Sequence, residues 1–322
     1  MIDDFNDIPI RHDMQTVAFY NIENLFDLKD SKLTHDNDFL PESVKRWTPK
    51  RYKNKLRKLG YAISNIGKQD TGKHPAIVGL AEVENAKVLQ DLIDSKHLED
   101  CNYQYVHFDS LDERGIDVAM LYDTSVFKVS HTETFTVPLT DDNGTPDYTR
   151  DILLVGGILD GETMYFIVNH WSSRREGQKE SEPKRLAASE KVSEIISALT
   201  QKDENVKIMV MGDFNDTPQN ESLKRLVADH GLFNPFETLR SFTRGTVKHR
   251  RQWFTFDQVL ISTNFFKSSK KEFEFFKANI FDADFLKTFK GHYKGAPYRT
   301  YAGKKYKGGY SDHFPVYTIL KK

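Results

Sequence analysis

Gly212-Asp213-Phe214-Asn215 follows the apolar run Lys207-Ile208-Met209-Val210-Met211 and precedes Asp216-Thr217-Pro218. A run of strand length that stops abruptly at glycine puts these polar side chains at a strand end. If the extended backbone persists for two more residues, Asp213 and Asn215 face one side, while Phe214 turns away to anchor the loop in the core. An anionic acceptor beside an amide that both donates and accepts could hold a water or hydroxide. Taken alone, the same residues read equally as an Asx-rich turn, with Thr217-Pro218 opening the next helix. The number of other strands that end in the same way decides between them.

There are several. Thr16 to Ile22 reads as a buried strand running into Asn21-Ile22-Glu23-Asn24, and Ala76 to Ala81 is apolar on both faces, as a central strand is, before it stops at Glu82. Glutamate is seldom buried without a partner, so a cation or a hydrogen-bond network is expected beside Glu82. Met164 to Val168 leads into Asn169-His170-Trp171 and a loop carrying Arg174 and Arg175, which suits an anionic oxygen cluster. Other strands begin on polar residues: Asp117, after Arg114-Gly115; Asp257; and Asp312-His313, before Val316 to Leu320. Each feature has a plainer explanation: turn formers at 21–24, Glu82 and Glu84 in water at a frayed end, a structural His170. In a sheet with antiparallel pairs, however, the end of one strand and the start of its neighbour share an edge. Asn21, Glu82, His170, Asp213, Asp117, Asp257 and Asp312-His313 can therefore line one rim.

The elements that must position them follow from periodicity. Pro49 opens a basic amphipathic helix to about Ile66, with Leu56, Leu59, Ile63 and Ile66 at helical spacing and its Lys and Arg residues expected on a solvated face. Asn85 can cap a helix bearing Val88, Leu89, Leu92 and Ile93, and Glu182 to Leu199 carries the stripe Leu186, Val192, Ile195, Ile196 and Leu199. A further helix is expected at Asn220. Strands at Phe127 to Val137 and Asp151 to Leu159 are separated by the turn-rich Asp141-Asp142-Asn143-Gly144, and the polar loop Asp27 to Thr48 is of the kind that borders a site. Mixed sheets with helices between their strands imply packed sheets covered by helices, an α/β arrangement.

The 322 residues contain no obvious linker, so one domain over 1–322 is expected, with 1–13 as a peripheral or disordered arm. A net charge of −1 gives no global field announcing nucleic acid, although Phe285 to Tyr310 holds seven Lys or Arg and no Asp or Glu. The single Cys101 excludes a disulfide framework and a Cys-based zinc site. No apolar run reaches membrane length and no signal h-region is present; a cytoplasmic monomer is expected, or a secreted protein if a leader was removed.

Oxygen-rich ends without thiolates suit Mg²⁺ or Mn²⁺ better than zinc, with Glu82 the first choice of ligand. Two histidines plus arginines suggest a phosphate group whose charge is offset in the transition state, hence hydrolytic phosphoryl chemistry. A Glu82 to Asp213 separation of roughly 5 to 9 Å would admit one hydrated ion and one phosphate. Asp257 and His313 should be hydrogen-bonded, because a carboxylate starting a buried strand needs a donor and an imidazole needs its tautomer fixed.

Asn21-Ile22-Glu23-Asn24, Glu82-Val83-Glu84, Asn169-His170, Gly212-Asp213-Phe214-Asn215, Asp257-Gln258-Val259 and Ser311-Asp312-His313, in this order over nearly the whole chain, resemble the endonuclease/exonuclease/phosphatase superfamily of deoxyribonuclease I-like phosphoesterases. The resemblance implies a four-layer α/β/β/α sandwich, two packed mixed β-sheets flanked by helices. It implies that Glu82 binds the metal with Asn21 and Asp312 close by, and that Asp213 activates or orients water with Asn215 beside it. It further implies that His170 and His313 contact the scissile phosphate, Asp257 orienting His313. Apart from the resemblance, Arg114, Arg174 and Arg175 are candidates for substrate binding. The substrate stays open: a phosphodiester, with nucleic acid first, a small nucleotide, sugar phosphate or lipid head group second. A catalytically inactive binding module is a further alternative, against which the intact polar set argues.

Overall fold

The computed structural model describes residues 8–30, 34–35, 37–140, 143–239, 241–266 and 271–322. Residues 1–7, Asp36 and the pair Asp141-Asp142 lie outside the described residues; within the expected N-terminal arm, the Arg11 N–H donates to Thr71 O at 2.8 Å.

The chain opens with strand β1 (Met14–Leu25), whose residues are nearly all buried. Helices α1 (Pro49–Asn65) and the short α2 (Lys68–Thr71) follow, then β2 (Ile77–Val83), α3 (Ala86–Ile93), β3 (Tyr103–His107) and β4 (Asp117–Asp123). The middle of the chain supplies β5 (Phe127–Phe135), β6 (Ile152–Leu159), β7 (Glu162–His170), α4 (Glu182–Lys202), β8 (Lys207–Asp213) and α5 (Glu221–His230). The last part gives β9 (Leu232–Phe233), the hairpin β10 (Val247–His249) and β11 (Gln252–Phe254), then β12 (Asp257–Ser262) and β13 (Glu274–Ile280). A second small hairpin, β14 (Tyr301–Ala302) with β15 (Lys305–Tyr306), precedes β16 (Val316–Lys321).

Two mixed six-stranded sheets result, ordered β13-β16-β1-β2-β4-β3 and β5-β6-β7-β8-β12-β9. Each is built around one parallel pair, β1 with β2 and β7 with β8, flanked by antiparallel neighbours. The ends of β1, β2, β7 and β8 and the starts of β16, β4 and β12 therefore face one rim. Alternation sorts the layers: Met209, Met211, Val259 and Ile261 turn into the core between the sheets, while Ile208, Val210 and Leu260 meet Val192, Ile195, Leu223 and Leu226 of α4 and α5. On the other side α1 and α3 cover the first sheet with Leu59, Ile63, Val88 and Leu92. The molecule is a four-layer α/β/β/α sandwich. Gly79 marks the closest approach of the sheets, since a Cβ there would sit 2.6 Å from Met211 Sδ.

One expected surface assignment and one expected core position change. Lys55 of α1 is fully buried, donating to Thr300 Oγ1 at 2.5 Å and Tyr310 O at 2.6 Å, so the basic face of that helix is partly an anchor for the C-terminal basic segment. In α4 the buried position beside the half-buried Leu186 is Arg185, paired through Nε with Asp216 at 2.8 Å.

At the opposite edge, His74 Nε2 meets Asp123 Oδ2 at 2.8 Å, and Asp123 also accepts from Ser125 N at 2.8 Å. Burial alone would lower the His74 pKa, but the bond to Asp123 outweighs it and raises the group to about 9. A folded pKa above the ordinary 6.5 means the pair stabilises fully below about pH 6.5 and loses its effect as pH rises through about 9. We expect His74→Gln to cost about 1–2 kcal/mol near pH 6. Urea unfolding of both proteins across pH 6 to 10 should show that difference shrinking toward the alkaline end.

Candidate active site

Gly212 lets the site close. A Cβ there would stand 2.5 Å from Asn169 O, and its absence lets β7 and β8 run side by side until His170 lies opposite Asp213. Across the other edge of β8, Asp257 is register partner to Asp213. Asn21 arrives from the first sheet, its Nδ2 donating to Asp213 Oδ2 at 3.0 Å and reaching Glu82 Oε1 at 3.5 Å. One amide nitrogen thus touches both carboxylates, so these two oxygens stand no more than two hydrogen bonds apart.

Glu82 reaches this position through backbone strain. It has φ 67°, and β2 and β4 slip register between Ala81 and Val83, so a β-bulge turns the carboxylate toward the rim. Its Oε2 accepts the Asn24 N–H at 2.8 Å, while Arg114 Nη2 and His170 Nε2 each stand 4.0 Å from Oε1. Glu23 and Asn24 also have positive φ, at 53° and 49°.

His313 Nδ1 lies 2.8 Å from Asp257 Oδ2 and 3.1 Å from Oδ1, and its Nε2 faces Asp213 Oδ2 at 3.8 Å. Burial disfavours charge on this ring, but Asp257 and then Asp213 outweigh it and hold its pKa well above 6.5. His170, also 3.8 Å from Asp213 Oδ2, goes the other way: burial, then Arg150 and Arg114, keep it neutral. Asp213 itself is raised to about 6, first by burial and next by Asp257, against the pull of His313, the Asn215 N–H and Asn21. A cationic and a neutral imidazole therefore flank one poised carboxylate.

The expected geometry at Asn215 differs. The chain leaves β8 at Asp213 and Asn215 takes φ 49°, so its backbone N–H, not its side chain, holds Asp213 Oδ1 at 3.0 Å. Its side-chain Nδ2 donates to Trp171 O at 3.0 Å. Arg174 is engaged within the protein by Asn215 O at 2.6 Å, Asp216 Oδ1 at 2.6 Å, Asn220 Oδ1 at 3.0 Å and Gln178 Oε1 at 2.9 Å, and so clamps the loop after β8. Arg114 donates to Asn24 Oδ1 at 3.0 Å, and the exposed Arg175 shares its surroundings: the nearby Arg114 charge, then burial, lowers the Arg175 pKa. Asp117 starts β4 but turns to Ser110, away from the cluster.

Asp312 forms an ion pair with Arg299, and its Oδ1 is 4.0 Å from His313 Nε2. Behind it lies a group expected among turn formers. Glu23, buried, accepts the N–H of Thr300 at 2.5 Å and of Tyr301 at 3.1 Å, and burial followed by Asp312 raises it to about 7. The position two residues after Asn21 in Asn-Ile-Glu-Asn was its one signal.

The oxygens that fit a hard divalent cation belong to Glu82 and Asp312; Glu82 Oε1 has no hydrogen bond shorter than 3.5 Å. Asn21 does not offer its oxygen there, because Oδ1 accepts the Glu23 N–H at 3.0 Å and the amide presents NH₂ to the carboxylates. Asp213, Asp257 and His313 also group ligand-type atoms within 4.8 Å, but the Asp257 bond already occupies one nitrogen and a charged ring would repel an ion.

The sequence profile described as the Endonuclease/Exonuclease/phosphatase family matches residues 16–322. No curated protein sequence matches. Among solved structures, the chain is similar to the mannosyl-6-phosphatase of Bacteroides thetaiotaomicron, at 18% identity over 96% of this chain and 100% of that one, TM-score 0.59. It is similar to TDP2 from C. elegans at 14% identity over 98% and 77%, TM-score 0.60. The human nocturnin catalytic domain with bound sulfate anion matches at 17% identity over 97% and 96%, TM-score 0.55. At these identities the likeness carries the fold.

The two rings should titrate apart. In an imidazole ¹H–¹⁵N spectrum His313 is expected to stay protonated well above pH 6.5 while His170 stays neutral below it. Asp257→Asn should bring the His313 transition down; an unmoved transition would mean that Asp257 does not set its charge.

Proposed function

Since the chain belongs to the endonuclease/exonuclease/phosphatase family, we propose that it hydrolyses phosphoric esters by in-line attack of a water held at Asp213. The observation that carries this is the buried carboxylate raised to about 6 with a protonated His313 and a neutral His170 each 3.8 Å away. Near neutral pH Asp213 is ionised yet a better proton acceptor than an ordinary carboxylate. The Asn215 N–H and Asn21 Nδ2 stop it rotating, so the water it binds has one direction, and positioning of this kind contributes several kcal/mol of barrier lowering.

Asp257 takes one nitrogen of His313, leaving Nε2–H to meet a non-bridging oxygen as negative charge develops. His170 donates from Nε2 without adding a charge. Arg114 and Arg175, which repel one another, gain from an anion placed between them. Mg²⁺ or Mn²⁺ at Glu82 and Asp312 would supply a Lewis acid to polarise the phosphoryl oxygen.

A nucleic-acid strand is the substrate we favour. One residue beyond His313, Phe314 lines a groove of about 440 Å³ with Arg244, Lys248, Arg251, Lys287, Lys294 and Trp253, and Phe242 at its edge is 98% exposed. Cations set around the exposed Phe242 ring suit a phosphate backbone with an unstacked base. Arg244 is committed to Asp282 and Lys287 to Asp282 and Asp284, which leaves Lys248, Arg251 and Lys294 as the main contacts. A small phosphomonoester is the second reading, favoured by a net charge of −1 and by the fold shared with a mannosyl-6-phosphatase.

Asp213→Asn is expected to retain fold and substrate binding and lose roughly 10²–10⁴-fold in turnover, without recovery at high Mn²⁺. Glu82→Gln should recover part of its activity as metal is raised; rescue of the first variant and not the second would exchange the two roles. The wild-type kcat/KM should rise with pH through about 6 as Asp213 loses its proton. Lys248→Glu/Arg251→Glu should weaken cleavage of an oligonucleotide and spare bis(p-nitrophenyl) phosphate. Cleavage of phosphomonoesters but of no oligonucleotide would favour the second reading.

A further inference from the structure

The loop joining β3 to β4 gathers three ligand-type side chains that the hydrolytic centre does not use: His107, Asp109 and Asp117, each with an atom within 4.8 Å of the others. The His107 side chain is 3% exposed, and its Nε2 has no hydrogen-bond partner although Asp117 Oδ2 lies 3.3 Å away. Proximity without hydrogen-bond geometry places the nitrogen and the oxygen side by side instead of head-on. Two donors bound to one ion at about 2.1 Å stand roughly 3.0–3.5 Å apart, which is the relation found here.

Ser110 prepares the carboxylate. Its N–H at 3.1 Å and its hydroxyl at 2.5 Å both donate to Asp117 Oδ1, which leaves Oδ2 turned to the ring. Asp109, 86% exposed, stands nearest the other ring nitrogen, Oδ1 3.9 Å from Nδ1, and closes the set by turning past the ring edge toward Nε2. A water-sized cavity beside Asp117 is also lined by Asp151, the residue before β6, and by neither lysine nor arginine among the described residues.

We propose that His107, Asp109 and Asp117 form a structural site for Zn²⁺, a borderline divalent cation, separate from the oxygen donors at Glu82 and Asp312. One imidazole with two carboxylates favours such ions over Mg²⁺. Asp117 pairs with Val83, the neighbour of Glu82, so an ion here braces both the bulge that aims Glu82 and the loop that carries Arg114. The site stands on this geometry and does not depend on the hydrolytic reading.

Zinc binding by equilibrium dialysis and zinc-dependent thermal shift, on Glu82→Gln/Asp312→Asn to remove both oxygen donors of the other site, test it. One tightly held ion per chain and a raised Tm are expected. Asp109→Asn, at a largely exposed position, should weaken binding roughly tenfold or more and reduce the shift; His107→Gln should abolish both. Crystals grown with Zn²⁺ should show an anomalous peak bridging His107 Nε2 and Asp117 Oδ2. Absence of that peak, or wild-type affinity in Asp109→Asn and His107→Gln, would overturn the assignment.

Discussion

Asp213 is a carboxylate at 2% exposure with no cationic nitrogen closer than 3.8 Å, and much of the rim is arranged around keeping it there. Dipoles hold it: a backbone N–H from the turn that follows, and an amide from the opposite sheet. A buried charge without such partners neutralises itself, and with too many it loses its basicity. The balance falls between, because Asp257 repels Asp213 while anchoring the ring that attracts it.

Placing that carboxylate requires local departures from regular structure. Glu23, Asn24, Glu82 and Asn215 all adopt left-handed backbone at φ 49–67°, a conformation costly for residues other than glycine. Three are followed or accompanied by hydrogen bonds that hold them: Glu23 to Thr300 and Tyr301, Asn24 to Glu82, and Asn215 to Asp213. The regular sheets behind them supply the rigidity against which the strain is kept.

Much of this was legible in the sequence, because the strands are bounded by abrupt changes from apolar residues to Asp, Asn, Glu or His. The end of β8 at Asp213 and the start of β12 at Asp257 are marked in this way, and the rim followed from sheet geometry. Strands β3 and β13 were not legible, since Tyr103–His107 and Glu274–Ile280 are mostly half-exposed and lack a clean alternation. The fate of long polar side chains was equally hidden. Nothing local says that Lys55 is buried under residues 300–310, that Arg174 is consumed by Asp216, or which way the Asn21 amide points. Those depend on partners tens to hundreds of positions away, whereas the Asn85 cap on Val88 is a local contact.

The pairing of β1 with β16 has a temporal consequence. Met14 to Phe19 is a central strand whose antiparallel neighbour is Val316 to Lys321, and His313 enters the rim on that same late segment. The second sheet draws all its strands from 127–262 and can assemble from consecutive stretches. During synthesis, then, β1 emerges from the ribosome before the other strands of the two sheets and must wait for nearly three hundred residues before one of its edges is covered. The nascent chain exposes an apolar strand edge throughout that interval, a natural binding place for a chaperone. The candidate site likewise stays incomplete until the segment through β16 has cleared the exit tunnel.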